Sequence, residues 1–186
     1  LTGAPLDDAD LRYTPADLSP TIVEVQAVNG GAPVEVGAPF TVDFTIVDGD
    51  GLPILIDDLN RLRLYVSGPT FNYQRVIGQT SSDFTQNPDG SYTYSIAAFP
   101  DVYLPPLNDS DAFDENDGEM TGLPIMEGTY TVLIESRRVF GSIRKAGDAT
   151  FDFVVADDPG LPPVMEPRQF VLRDVCNDCH NDLQIH

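Results

Sequence analysis

Cys176-Asn177-Asp178-Cys179-His180 brings two thiols and an imidazole together at a spacing that suits one chemistry closely. In Cys-x-x-Cys-His the two intervening residues set the sulfurs at the separation of a porphyrin's vinyl groups. The histidine beside the second cysteine then falls under the iron. The pattern is that of covalent haem c attachment, with Cys176 and Cys179 as thioether positions and His180 as proximal ligand. These are the chain's two cysteines, and one of its two histidines completes the motif. A zinc finger needs four ligands, with about a dozen residues between its cysteine and histidine pairs, whereas His180 abuts Cys179. A thioredoxin-like dithiol belongs beside a βαβ pattern, and none surrounds this pair. A plain disulfide stays open as the rival, and it gives His180 no role. Attachment of haem to thiols would also place the segment on the extracytoplasmic side of a membrane.

His186 follows six residues after His180. Six helical residues advance about 9 Å and turn about 240°, so a helical His186 does not reach the opposite face of the same iron. The distal position on that iron stays open among water, a partner chain, further sequence and Met120, Met126 or Met165, with Met165 best placed. Arg168 and Arg173 shortly precede the motif and suit haem propionates. A second constellation is acidic: residues 108–119 hold six carboxylates in twelve positions. Oxygen donors at this density suit Ca²⁺, with Asp109, Asp111, Asp114 and Asp117 the preferred ligands. It is not an EF-hand, since Phe113 and Asp114 stand where an acid or amide and a glycine belong. A solvated loop is the alternative. Asp48-Gly49-Asp50-Gly51 is better read as a hairpin turn than as a cation site. Arg137, Arg138, Arg144 and Lys145 surround a hairpin, either to meet haem propionates or an acidic neighbour or, as the preferred reading, to guard a solvated strand edge against aggregation.

The elements that must position these residues are strands. In 186 residues there are 16 prolines, 15 glycines and no tryptophan, with 41% hydrophobic residues. That is enough for a core, with punctuation that favours many short strands. Apolar residues alternate at Phe40, Val42, Phe44 and Ile46, at Leu62, Leu64 and Val66, and at Tyr92, Tyr94 and Ile96. They do so again at Tyr130, Val132 and Ile134, and at Phe151, Phe153 and Val155. Period two with one apolar face is the mark of a half-buried strand. With a further strand over residues 21–28, and turn signals at Asn29-Gly30-Gly31, Pro88-Asp89-Gly90 and Ala146-Gly147-Asp148, about seven strands are expected. Antiparallel pairing of such strands gives an all-β, immunoglobulin-like sandwich. Glu127-Gly128-Thr129-Tyr130 resembles the start of its strand F, where a tyrosine hydroxyl caps the corner. Phe44, Leu64, Tyr94 and Val132 are the expected core.

The division expected is an N-terminal arm at 1–20, the sandwich at 21–156, a proline-rich linker at 157–169 and a partly helical haem segment at 170–186. Ten basic against thirty acidic side chains leave a net charge of −20, which disfavours nucleic acid and anionic membranes as partners. No apolar run is long enough to span a bilayer as a helix. The chain starts at Leu1 and is read as a mature form or an excised piece.

Three stretches and the tail together carry a family resemblance. They are Leu64-Tyr65-Val66-Ser67-Gly68-Pro69-Thr70 with Asn72-Tyr73, Asp89-Gly90-Ser91-Tyr92-Thr93-Tyr94, and Gly128-Thr129-Tyr130-Thr131-Val132 running on to Arg138. With residues 176–186 they resemble the decahaem surface cytochromes of the OmcA/MtrC type, over roughly residues 21–186. The resemblance implies a β-domain ahead of a haem array, extracellular electron transfer, and other cytochromes or further haem domains as partners. It implies that His186 ligates a neighbouring haem, and that the protein is an electron carrier rather than an enzyme. The departure is the single haem motif, which makes the chain look like one portion of a larger cytochrome. The rival reading is a structural or adhesive Ca²⁺-binding module whose cysteines form a disulfide.

Overall fold

Phe40, Val42, Phe44 and Ile46 are buried while the residues between them are half-buried, and this alternation recurs along the chain to build two facing sheets. The computed structural model describes residues 17–28, 30, 33–80, 84–105, 107, 120–141, 143–158 and 160–167. Its strands are β1 (Ser19–Ala27), β2 (Val34–Glu35), β3 (Phe40–Val47), β4 (Arg61–Gly68) and β5 (Gln74–Thr80). They continue with β6 (Phe84–Gln86), β7 (Tyr92–Ile96), β8 (Gly128–Phe140) and β9 (Ile143–Ala156). One sheet has the order β1-β3-β7-β6 and the other β2-β9-β8-β4-β5. Every pairing is antiparallel except β2 with β9, which is parallel. The order β1-β3-β7-β6 corresponds to strands A-B-E-D of an immunoglobulin sandwich, and β4, β8 and β9 to C, F and G. The expected all-β sandwich is therefore the observed fold.

Phe44, Leu64, Tyr94 and Val132 are all buried, as expected. Apolar packing with interlocked rings holds the sheets together. Phe40 of one sheet stacks on Phe153 of the other with centroids 6.0 Å apart, and Phe99 meets Tyr130 edge-on at 5.3 Å. Such pairs add about 0.5–1.5 kcal/mol each beyond their burial.

Four details differ from the sequence reading. β1 enters at Ser19, and Leu18 and Pro20 are buried, so the end of the expected arm belongs to the sandwich. Pro20 is tolerated because β1 is an edge strand, where a missing N–H breaks no central ladder. Three strands beyond those expected are present, namely β2, β5 and β6, of which β2 and β6 are very short. Ala146-Gly147-Asp148 is not a turn. It lies inside β9, where Gly147 pairs with Ser136 of β8, and the hairpin closes between Phe140 and Ile143. Gly147 is needed for close approach, since a Cβ there would stand 2.3 Å from the carbonyl oxygen of Leu18. Finally, the charged hairpin is only partly an edge, because β8 lies between β9 and β4.

Candidate functional site

Cys176, Cys179, His180, His186, Arg168 and Arg173 lie outside the described residues, as do Asp109, Asp111, Asp114 and Asp117. What the structure shows is how the sandwich holds the segment that leads toward the cysteines. β9 ends at Ala156, and residues 157, 158 and 160–167 run on without helix or strand. Near the end of that run the backbone N–H of Glu166 donates to Thr129 Oγ1 at 2.7 Å. Thr129 opens β8, and its carbonyl accepts the Thr70 hydroxyl at 3.2 Å. The tether is thus fastened to the start of β8 one residue before Pro167.

Tyr130, the next residue, donates its hydroxyl to the Met126 carbonyl at 2.6 Å, the corner bond that the sequence suggested. Gly68 of β4 makes room for this ring, since a Cβ there would lie 2.4 Å from Tyr130 Cδ1. Burial pushes the Tyr130 phenol far above its ordinary pKa, with the nearby Tyr103 adding to the shift. Burial raises Tyr103 as well. The corner that carries the tether is therefore closely packed and keeps its hydroxyls protonated.

Beside it is an apolar groove of about 550 Å³, walled by Phe71, Met120, Leu123, Pro124, Ile125 and Met126. Asp157, the first tether residue, stands at its margin with Glu127. Of the three methionines weighed as axial ligands, Met120 is 6% exposed and its sulfur accepts the Asn72 amide at 3.6 Å. Met126 packs against the core. Met165 is 47% exposed on the tether itself.

The basic residues divide between roles. Arg138 faces Asp58 at 3.7 Å, and Lys145 pairs with Asp17 at 2.7 Å. Arg137 lies across from Arg61 in the β4–β8 register and shares a cavity of about 380 Å³ with Arg61 and Arg63. The sequence reading missed that grouping, because β4 and β8 are far apart in the chain. In the Asp48 loop, Asp48 Oδ1 accepts the N–H groups of Asp50 and Leu52, both at 2.9 Å, and Gly51 has φ +80°. The carboxylate shapes a turn, as expected. Among the described residues no group of three or more His, Cys, Asp or Glu is placed to hold a metal ion, and no helix is long and apolar enough to cross a membrane.

No protein-family model and no curated protein matches the chain. Among solved structures, the chain is similar to the crystal structure of the outer membrane decaheme cytochrome OmcA. The TM-score is 0.50 with 15% identity, over 88% of this chain and 26% of that one. It is also similar to MtrC from Shewanella baltica OS185, with a TM-score of 0.44 and 15% identity over 89% of this chain and 28% of the other. The chain spans about a quarter of the length of each. At that identity the likeness to OmcA shows a shared fold.

Proposed function

We propose that this chain transfers electrons through a haem c attached at Cys176 and Cys179, and that its sandwich is the β-domain of an extracytoplasmic multihaem cytochrome. One observation carries the reading: a Cys-x-x-Cys-His motif follows a sandwich whose fold is similar to that of OmcA, a decaheme cytochrome. The donor set fits the group, because two thiols and an adjacent imidazole are what a covalently held haem requires. Bound there, haem supplies a one-electron iron couple.

The chain's own residues have distinct tasks. Cys176 and Cys179 hold the porphyrin by thioether bonds, and His180 ligates the iron. His186 serves a neighbouring haem of the same polypeptide or assembly, and Arg168 and Arg173 neutralise propionates. The Thr129–Glu166 bond supports this arrangement by fastening the tether to a rigid strand. The groove at Phe71 and Leu123 supplies an apolar surface next to it. The partners are other cytochromes or further haem domains, and the location is the cell surface or outer membrane.

The test is an absorption spectrum of the full chain matured with haem. A sharp α-band on dithionite reduction, with haem retained through acid–acetone extraction and the intact mass raised by one haem, is expected. A colourless protein whose two thiols are joined as a disulfide would refute the proposal and leave the structural module.

A further inference from the structure

We propose that the cavity between β4, β8 and β6 binds a small amphiphilic anion, an oxyanion head on an apolar body. This proposal is independent of the haem. The cavity holds about 380 Å³ and is walled by Ile56, Leu59 and Phe84 on its apolar side and by Arg61, Arg63 and Arg137 on its polar side. That volume falls within the range of small-molecule sites.

The electrostatics select the head group. In a chain of net charge −20 with three acidic side chains for every basic one, arginines ought to find carboxylates easily. Here the β-register gives the three arginines one cross-strand carboxylate between them. Arg61 lies directly across from Arg137, a like-charge pair, and Arg63 directly across from Glu135. Glu135 is the carboxylate that the register brings to them, and it is already engaged. Its Oε1 accepts from Arg61 at 2.9 Å, and its Oε2 accepts the Tyr65 hydroxyl at 3.3 Å. Asp58, on the adjoining turn, faces Arg138 instead. Arg63 and Arg137 are left without an ion pair among the described residues, and the Nε–H of Arg137 is buried with no acceptor. A buried guanidinium donor lacking an acceptor is unfavourable. Three arginines with one carboxylate opposite them among the described residues repel metal cations. A carboxylate or phosphate suits the guanidinium groups that line the cavity, because paired N–H donors of an arginine hold two oxygens of either group at once.

The walls select the rest of the ligand. Ile56, Leu59 and Phe84 offer no polar side chain, so a bare inorganic anion would leave them wet. An aliphatic or aromatic body covers them and gains the burial. Head and body together define the ligand class.

Calorimetric titration of the full chain at low salt is the test, with octanoate and octyl phosphate as probes. Both should bind, while octanol, acetate and inorganic phosphate should bind at least about tenfold more weakly. Arg63→Gln should weaken octanoate binding by about tenfold, and Arg137→Gln should act likewise. Arg75→Gln, on β5 with its guanidinium over the Tyr65 ring, should bind as the parent does. Arg63 lies on the outward face of β4, so its variant keeps the fold if Arg137→Gln does not. Absence of binding, equal binding of octanol or acetate, or unchanged binding in Arg63→Gln would each overturn the proposal.

Discussion

Replacing Gly147 by alanine should destabilise the sandwich, although alanine is ordinarily the better strand residue. A Cβ at Gly147 would lie 2.3 Å from the carbonyl oxygen of Leu18, 3.0 Å from its carbonyl carbon and 2.7 Å from Pro20 Cδ. Ordinary contact begins near 3.4 Å, so that oxygen must retreat by about 1 Å (3.4 − 2.3). It is a backbone atom and cannot rotate away. Leu18 is buried, and Ser19 opens the ladder between β1 and β3. Undocking Leu18 would forfeit about 1.5–3 kcal/mol, and accommodating the methyl group by strain costs about 1–3 kcal/mol. Alanine's smaller loss of backbone freedom returns about 0.5–1 kcal/mol. The net expectation is a loss of about 1–2 kcal/mol. Urea denaturation of the full chain, followed by far-UV circular dichroism, measures it. Gly78→Ala is the control, because its Cβ would meet only the Leu107 side chain, at 3.2 Å. Its stability should stay within about 0.5 kcal/mol of the parent. A Gly147→Ala midpoint equal to or above that of the parent would refute the close-approach argument.

Tyr130→Phe removes the bond to the Met126 carbonyl and should cost about 0.5–1.5 kcal/mol in the same denaturation assay. Alkaline pH should unfold the protein. Burial raises the phenol pKa of Tyr92, Tyr103 and Tyr130, and Asp58 and Asp57 raise Tyr92 further. The fold therefore holds their protons more tightly than the unfolded chain does. This contribution is intact below about pH 10 and is lost above it, at up to about 1.4 kcal/mol per pH unit for each tyrosine. Urea midpoints that stay level from pH 9 to 11 would contradict it, and Tyr130→Phe should soften the fall. Cys176→Ala and Cys179→Ala should each abolish two-point haem attachment and leave the urea midpoint unchanged, because the buried core of the described residues lies between Leu18 and Ala156. A shifted midpoint would show that the tail and the sandwich fold as one unit.

The strands that could be read from the sequence are those with one face in the core and one toward solvent. β3, β4 and β7 alternate cleanly for that reason. β5 could not be read in this way, since Gln74, Arg75 and Gly78 interrupt the apolar run of an edge strand. β2 has two residues and β6 three, too few to show a period. Gly147 misled because a glycine beside an aspartate signals a turn locally, while the backbone it makes room for is that of Leu18, more than a hundred residues away. The Cys-x-x-Cys-His pattern was legible as a pattern because its residue types and spacing stand in the sequence itself, while its residues lie outside the described structure. The arginine cavity was not, because it is created by the β4–β8 register, which places Arg61 opposite Arg137 and Arg63 opposite Glu135.

The contact between Leu18 and Gly147 also has a mechanical meaning. The chain enters the sandwich beside Gly147 and leaves β9 at Ala156, roughly 30 Å farther along the same strand at the usual rise per residue. Entry and exit are therefore at opposite ends. A pull applied through Leu18 and Ala156 runs parallel to β9 and loads in shear the nine β8–β9 register pairs from Gly147 to Val155 that lie between the two points. Hydrogen bonds sheared together resist as a set, whereas bonds peeled from one end yield in turn. The sandwich is thus built as a stiff spacer in series, able to hold what is attached beyond Ala156 at a fixed distance under tension.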